Sequence, residues 1–105
     1  MEDSLRDMLR HGRKFERLRT DEPGIYIRKI PQSRDGPAYL AVEINPIGQS
    51  GNPMYKVGAL LRRQSELDAI RAILSKKEVD EILQAVEKVN PHQVEEKERF
   101  SRHGN

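Results

Sequence analysis

Ile25-Tyr26-Ile27-Arg28-Lys29-Ile30 decides the fold, because its apolar and polar residues alternate. A strand's period of two sends Ile25 and Ile27 to one face and Tyr26 and Arg28 to the other. Tyr39-Leu40-Ala41-Val42-Glu43-Ile44 repeats the pattern: Leu40, Val42 and Ile44 form an apolar row, and Tyr39, Ala41 and Glu43 oppose it. Asp35-Gly36 lies between the two runs and is hairpin chemistry, so the strands are expected to be antiparallel neighbours. A third segment, residues 54–63, fits when Val57, Ala59 and Leu61 align with the apolar row and Lys56, Gly58 and Arg62 oppose it. A slip of one residue there turns Tyr55 outward in place of Lys56.

Working outward, residues 4–18 read as an amphipathic helix capped by Asp3 or Ser4, with Leu5, Met8, Leu9, Phe15 and Leu18 at helical spacing and Gly12 weakening its middle. Residues 20–24 are turn chemistry, and residues 46–53 form a longer flexible connection suited to a ligand rim or a plain surface loop. Past the strands the period becomes about 3.6. Ser65 is placed to cap a helix striped by Leu67, Ile70, Ile73 and Leu74. Ser75-Lys76-Lys77-Glu78 matches a capping box, opening a second helix striped by Val79, Ile82, Leu83, Val86 and Val89, and Asn90-Pro91 either ends that helix or caps a weak third one. The expected fold class is α+β: an N-terminal helix, a small antiparallel sheet of three to four strands, and two C-terminal helices packed on one face. Three parts follow: a basic helix and turn over 1–23, a sheet-plus-helices nucleic-acid-binding domain over 24–91, and a charged tail over 92–105, disordered or docking.

The chain has 105 residues, 35% hydrophobic and 34% charged, enough for one modest core that leans on a partner subunit. A homo-oligomer, dimer or tetramer, is therefore expected. There is no cysteine, which removes disulfides and thiolate chemistry and fits a reducing interior. No run resembles a signal peptide or membrane span, so a soluble cytoplasmic protein is expected, with no membrane partner. The net charge of +2 is uneven. Residues 1–63 carry twelve Lys/Arg against eight Asp/Glu, whereas residues 64–105 carry seven against nine.

The basic half therefore holds the strands, and its polar sheet face gathers Tyr26, Arg28, Tyr39, Lys56 and Arg62. Arg13, Lys14 and Arg17 belong to a basic cluster between Arg10 and Arg19. Such a face suits a single strand of nucleic acid, because bases stack on rings, cations follow phosphates, and Gly58 admits a close approach to the backbone. Tyrosine also fills the solvent faces of ordinary sheets, where it packs against cross-strand neighbours.

Enzymatic chemistry is not expected. His11, His92 and His103 lack metal-ligand spacing, and no nucleophile elbow, P-loop or dinucleotide fingerprint occurs. Glu78, Asp80, Glu81 and Glu87 line the polar side of a helix. No catalytic residue, metal, cofactor or small-molecule substrate is expected.

With its order of helix, basic linker, strands and paired helices, and with Gly58-Ala-Leu-Leu-Arg62-Arg63 leading into Leu67-Asp-Ala-Ile70-Arg-Ala-Ile73-Leu74 and Val79-Asp-Glu-Ile82-Leu83-Gln-Ala-Val86-Glu-Lys-Val89, the chain resembles the archaeal ThermoDBP-related single-stranded DNA-binding proteins over residues 4–91. The resemblance implies an oligomer that binds single strands, DNA ahead of RNA, in a cleft of aromatic and basic side chains. It assigns those roles to Tyr26, Arg28, Tyr39, Lys56 and Arg62, with Tyr55 in place of Lys56 on a one-residue slip and with Arg13, Lys14 and Arg17 at the rim. Lack of tryptophan and only two phenylalanines, Phe15 and Phe100, depart from it and imply fewer stacked bases. Two alternatives differ in ligand: a protein-interaction or scaffold module using the C-terminal apolar stripes, and a duplex binder. The acidic start of the last helix argues against groove entry by the duplex binder.

Overall fold

The computed structural model describes residues 1–91, so the expectation for the tail at 92–105 lies outside the described residues. The fold is α+β, in the order α1 (Glu2–His11), β1 (Arg17–Arg19), β2 (Ile25–Ile30), β3 (Tyr39–Ile44), β4 (Ala59–Leu61), α2 (Gln64–Leu74) and α3 (Lys77–Val89). The chain divides into two compact units, Met1–Glu66 and Leu67–Asn105.

The sheet is antiparallel throughout, with strand order β1-β2-β3-β4. The hairpin expected at Asp35-Gly36 joins β2 to β3, and the full register runs from Ile25 opposite Ile44 to Ile30 opposite Tyr39. In β4, Ala59 and Leu61 stand opposite Ile44 and Val42, which is the expected parity. Its extent is shorter than expected. Residues 54–58 are irregular and Val57 is exposed, because the chain there follows contacts to Glu43 and Asn45 rather than a ladder.

Gly12 ends the N-terminal helix rather than lying in its middle, and the residues beyond it form a loop and then β1. Its backbone is extended, its amide donates to the Met8 carbonyl at 2.8 Å, and a Cβ there would lie 2.5 Å from that same oxygen. The Lys29 ammonium donates to the Gly12 carbonyl at 2.9 Å, placing a cation at the negative end of α1. Neither Asp3 nor Ser4 caps α1, which starts at Glu2 after Met1.

The C-terminal caps also differ from expectation. Ser65 lies inside α2; Glu66 accepts the amides of Arg62 at 2.6 Å and Arg63 at 2.8 Å, so the glutamate half of a capping arrangement starts this helix. Ser75 donates its hydroxyl back to the Ala72 carbonyl at 2.8 Å, and Lys76, without a side-chain cap, precedes α3. The break between the helices and the stop at Asn90 fall where expected.

The polar sheet face, expected to be open, is buried at its centre, although Leu61 on the apolar face is buried as well. On the polar face Tyr26 is 3% exposed, Ala41 4% and Glu43 0%, whereas Ile25, Val42 and Ile44 on the apolar face are 37%, 41% and 38% exposed. The reason is the connection between β3 and β4. Residues 46–58 fold back on the polar face and are fastened there, while the apolar face carries the small helix α1, whose buried residue is Met8.

Candidate nucleic-acid interface

Glu43 is the hub that fastens the connection. Arg17 donates Nε to Oε1 at 2.8 Å and Nη2 to Oε2 at 2.9 Å, a paired fork that its planar guanidinium suits. Arg28 donates Nε to Oε1 at 2.9 Å, Asn45 donates Nδ2 to Oε2 at 3.0 Å, and the Gly58 amide donates to Oε2 at 2.7 Å. Burial by itself raises this carboxyl's pKa. The donors from Arg17, Gly58, Asn45 and Arg28 outweigh it and hold the group at about 2.

The same guanidiniums grip backbone outside the sheet. Arg28 donates Nη1 to the Phe15 carbonyl at 2.7 Å and Nη2 to the Lys56 carbonyl at 2.9 Å; Arg17 adds a bond to the Lys56 carbonyl at 2.7 Å. Asn45 pairs with both backbone groups of Tyr55, at 2.7 and 3.0 Å. One cation thus sets two ring-and-cation dipeptides, Lys14-Phe15 and Tyr55-Lys56, side by side. Phe15 is 59% exposed and Tyr55 52%, and both lysines are exposed.

These contacts sort the residues expected at the site. Tyr26 does not offer its ring to a base, because it lies buried with the Arg17 guanidinium 5.2 Å from its centroid. Arg17 and Arg28 spend most of their donors on Glu43 and two carbonyls and so position the surface, while Arg17 keeps Nη1 unbonded among the described residues. Tyr39 is half-buried under Arg62, whose guanidinium lies 4.0 Å from the ring centroid. Tyr55 and Lys56 both face solvent, since the loop conformation frees them from strand parity. Arg13 and Lys14 are exposed, Arg13 beside Glu16, which also accepts the Arg13 amide at 2.9 Å.

Two residues outside the expected set belong with them. Phe15 falls on the helical stripe by spacing, but the helix stops at Gly12 and leaves it exposed; the signal lies in the glycine. Its φ of 61° is the left-handed conformation, rare for an aromatic residue. Arg19 stands opposite Tyr26 in the β1–β2 ladder and is exposed.

Among the described residues no group of three or more His, Asp or Glu is placed to hold a metal ion, and no helix is long and apolar enough to cross a membrane. No protein-family model, curated protein or solved structure matches the chain.

Proposed function

We propose that the protein is a non-enzymatic, largely sequence-independent binder of single-stranded nucleic acid, DNA in preference to RNA, of the archaeal ThermoDBP-related kind and cytoplasmic. The observation that carries this reading is the pair of dipeptides Lys14-Phe15 and Tyr55-Lys56, held adjacent by the Arg28 guanidinium through the Phe15 and Lys56 carbonyls. Exposed rings stack bases of any identity, neighbouring cations meet the phosphates, and a backbone fixed in advance lowers the ordering cost of binding. Tyr39 with Arg62 adds a third ring and cation. The binder acts as a homo-oligomer. Support comes from the apolar stripe of α3, where Ile82, Leu83, Val86 and Val89 are all exposed, beside a hollow lined by Ile82, Ala85, Val86 and Val89.

Fluorescence anisotropy with matched labelled single-stranded DNA, single-stranded RNA and duplex, at low and then higher salt, tests the reading. Single strands should bind more tightly than duplex, and the preference should survive moderate salt. Absence of binding to all three removes it.

The exposed stripes of α2 and α3 also favour a second reading, a protein-interaction module. Lys56→Gln with Arg62→Gln separates the two, because a partner held by apolar helices still binds after this change and a nucleic acid does not.

A further inference from the structure

Tyr26 is 3% exposed, and its hydroxyl is buried without a hydrogen-bond partner among the described residues. Buried hydroxyls are almost always bonded, so an orphan one marks a place where a ligand can complete the structure. Tyr26 lines a hollow of about 190 Å³ together with Arg17, Arg19 and Pro53. Its walls are unequal in chemistry. Arg17 uses Nε and Nη2 on Glu43 and the Lys56 carbonyl, and Nη1 makes no bond among the described residues. Arg19 is exposed and makes no ion pair among them. Pro53 contributes an apolar ring from the fastened connection. Arg17, Arg19 and Arg28 against the single carboxylate of Glu43 leave a local charge of two positive units.

We propose that this hollow seats a phosphate group, with Arg19 and Arg17 as charged donors and the Tyr26 hydroxyl as a neutral one. On the reading above, on which the source of the phosphate rests, the occupant is a phosphodiester of the bound strand, and Pro53 abuts its sugar. Tyr26, excluded as a stacking ring by burial, thereby acts through its hydroxyl. Orientated donors in a partly enclosed hollow hold a phosphate more strongly than cations on an open surface.

The test uses the full chain and two probes. Inorganic phosphate is titrated while side-chain NMR signals of Tyr26 and Arg19 are followed, in the wild type, Arg19→Ala, Tyr26→Phe and the hairpin control Arg34→Ala. Saturable shifts are expected in the wild type and Arg34→Ala, lost in Arg19→Ala, and roughly fivefold weaker in Tyr26→Phe. A single-stranded oligothymidylate is then titrated across salt concentrations. Arg19→Ala should lower the salt slope by about one unit, whereas Tyr26→Phe should weaken binding at unchanged slope. Thermal melts of each variant report on folding. No phosphate shift in the folded wild type overturns the seat. A wild type that binds the strand, with Arg19→Ala at the same slope, overturns the phosphodiester assignment and leaves the strand-binding reading standing. Phosphate shifts in a chain that binds no oligonucleotide support the seat and remove the strand as its source.

Discussion

The Arg17 guanidinium is locked edge-on to the Glu43 carboxylate by paired hydrogen bonds of 2.8 and 2.9 Å, beneath a connection whose backbone bonds the same two side chains. The polar half of the sheet is therefore an interior, and the contacts that hold it are ionic.

Removing the charge at its centre exposes the cost of that design. Glu43→Gln leaves Arg17 and Arg28 facing one another without a counter-charge, and breaking a buried pair in this way costs about 3 kcal/mol or more. Urea denaturation should show the loss as a lower midpoint at unchanged slope. A midpoint equal to the wild type's would contradict the hub.

Acid should reach the same interaction from the other side. The Glu43 carboxyl is depressed from 4.5 to about 2 in the folded protein, so its stabilisation is complete above about pH 4.5 and fades as pH falls toward about 2. Comparison of urea midpoints at about pH 6 and about pH 3 should show a decline in the wild type that Glu43→Gln flattens. Parallel declines would place the acid sensitivity elsewhere.

Rings that bind and rings that fold should separate cleanly. Phe15→Ala and Tyr55→Ala are each expected to weaken binding to a labelled single strand by roughly 1–3 kcal/mol, with little change in thermal midpoint. Tyr26→Ala should instead destabilise the chain by about 3 kcal/mol, because it empties a buried aromatic position. Anisotropy and thermal melts on the same three variants check both halves.

Gly58 offers a steric test of the fastened connection. A Cβ there would overlap the Ile44 carbonyl oxygen and lie 2.8 Å from the Asn45 Cβ, so Gly58→Ala must displace the amide that reaches Glu43. Stability should fall by roughly 1–3 kcal/mol, and amide hydrogen exchange around residues 54–58 should quicken. Protection equal to the wild type's would show that the backbone accommodates the methyl group.

Alternating residues made the β2–β3 pairing legible, because period two and an Asp-Gly turn are local signals. Both helix breaks near the C-terminus were equally local. Which sheet face is buried was not legible, since it turns on residues 46–58 folding back over Glu43, and Arg17 lies 26 residues from the carboxylate it binds. Helical spacing of Leu5, Met8, Leu9, Phe15 and Leu18 concealed β1, whose three residues pair with β2 rather than with anything nearby in sequence. Phe15 was hidden for the same reason. Strand parity makes Tyr55 and Lys56 rivals across a one-residue slip, and the irregular loop exposes both. Tyr39 and Arg62, two residues of the expected face, lie together, but their pairing had no signal in the sequence.

The hub also bears on the order of assembly. Two of its bonds, Arg17 to Glu43 and Arg17 to the Lys56 carbonyl, span 26 and 39 residues, beyond anything the β2–β3 hairpin closes. Contacts of such span close large loops before they return any energy, which makes them slow to form relative to the local β2–β3 turn. Phe15 and Lys56 hang from that closure by their carbonyls. An incompletely folded chain, even one with its hairpin made, therefore lacks the arrangement of rings.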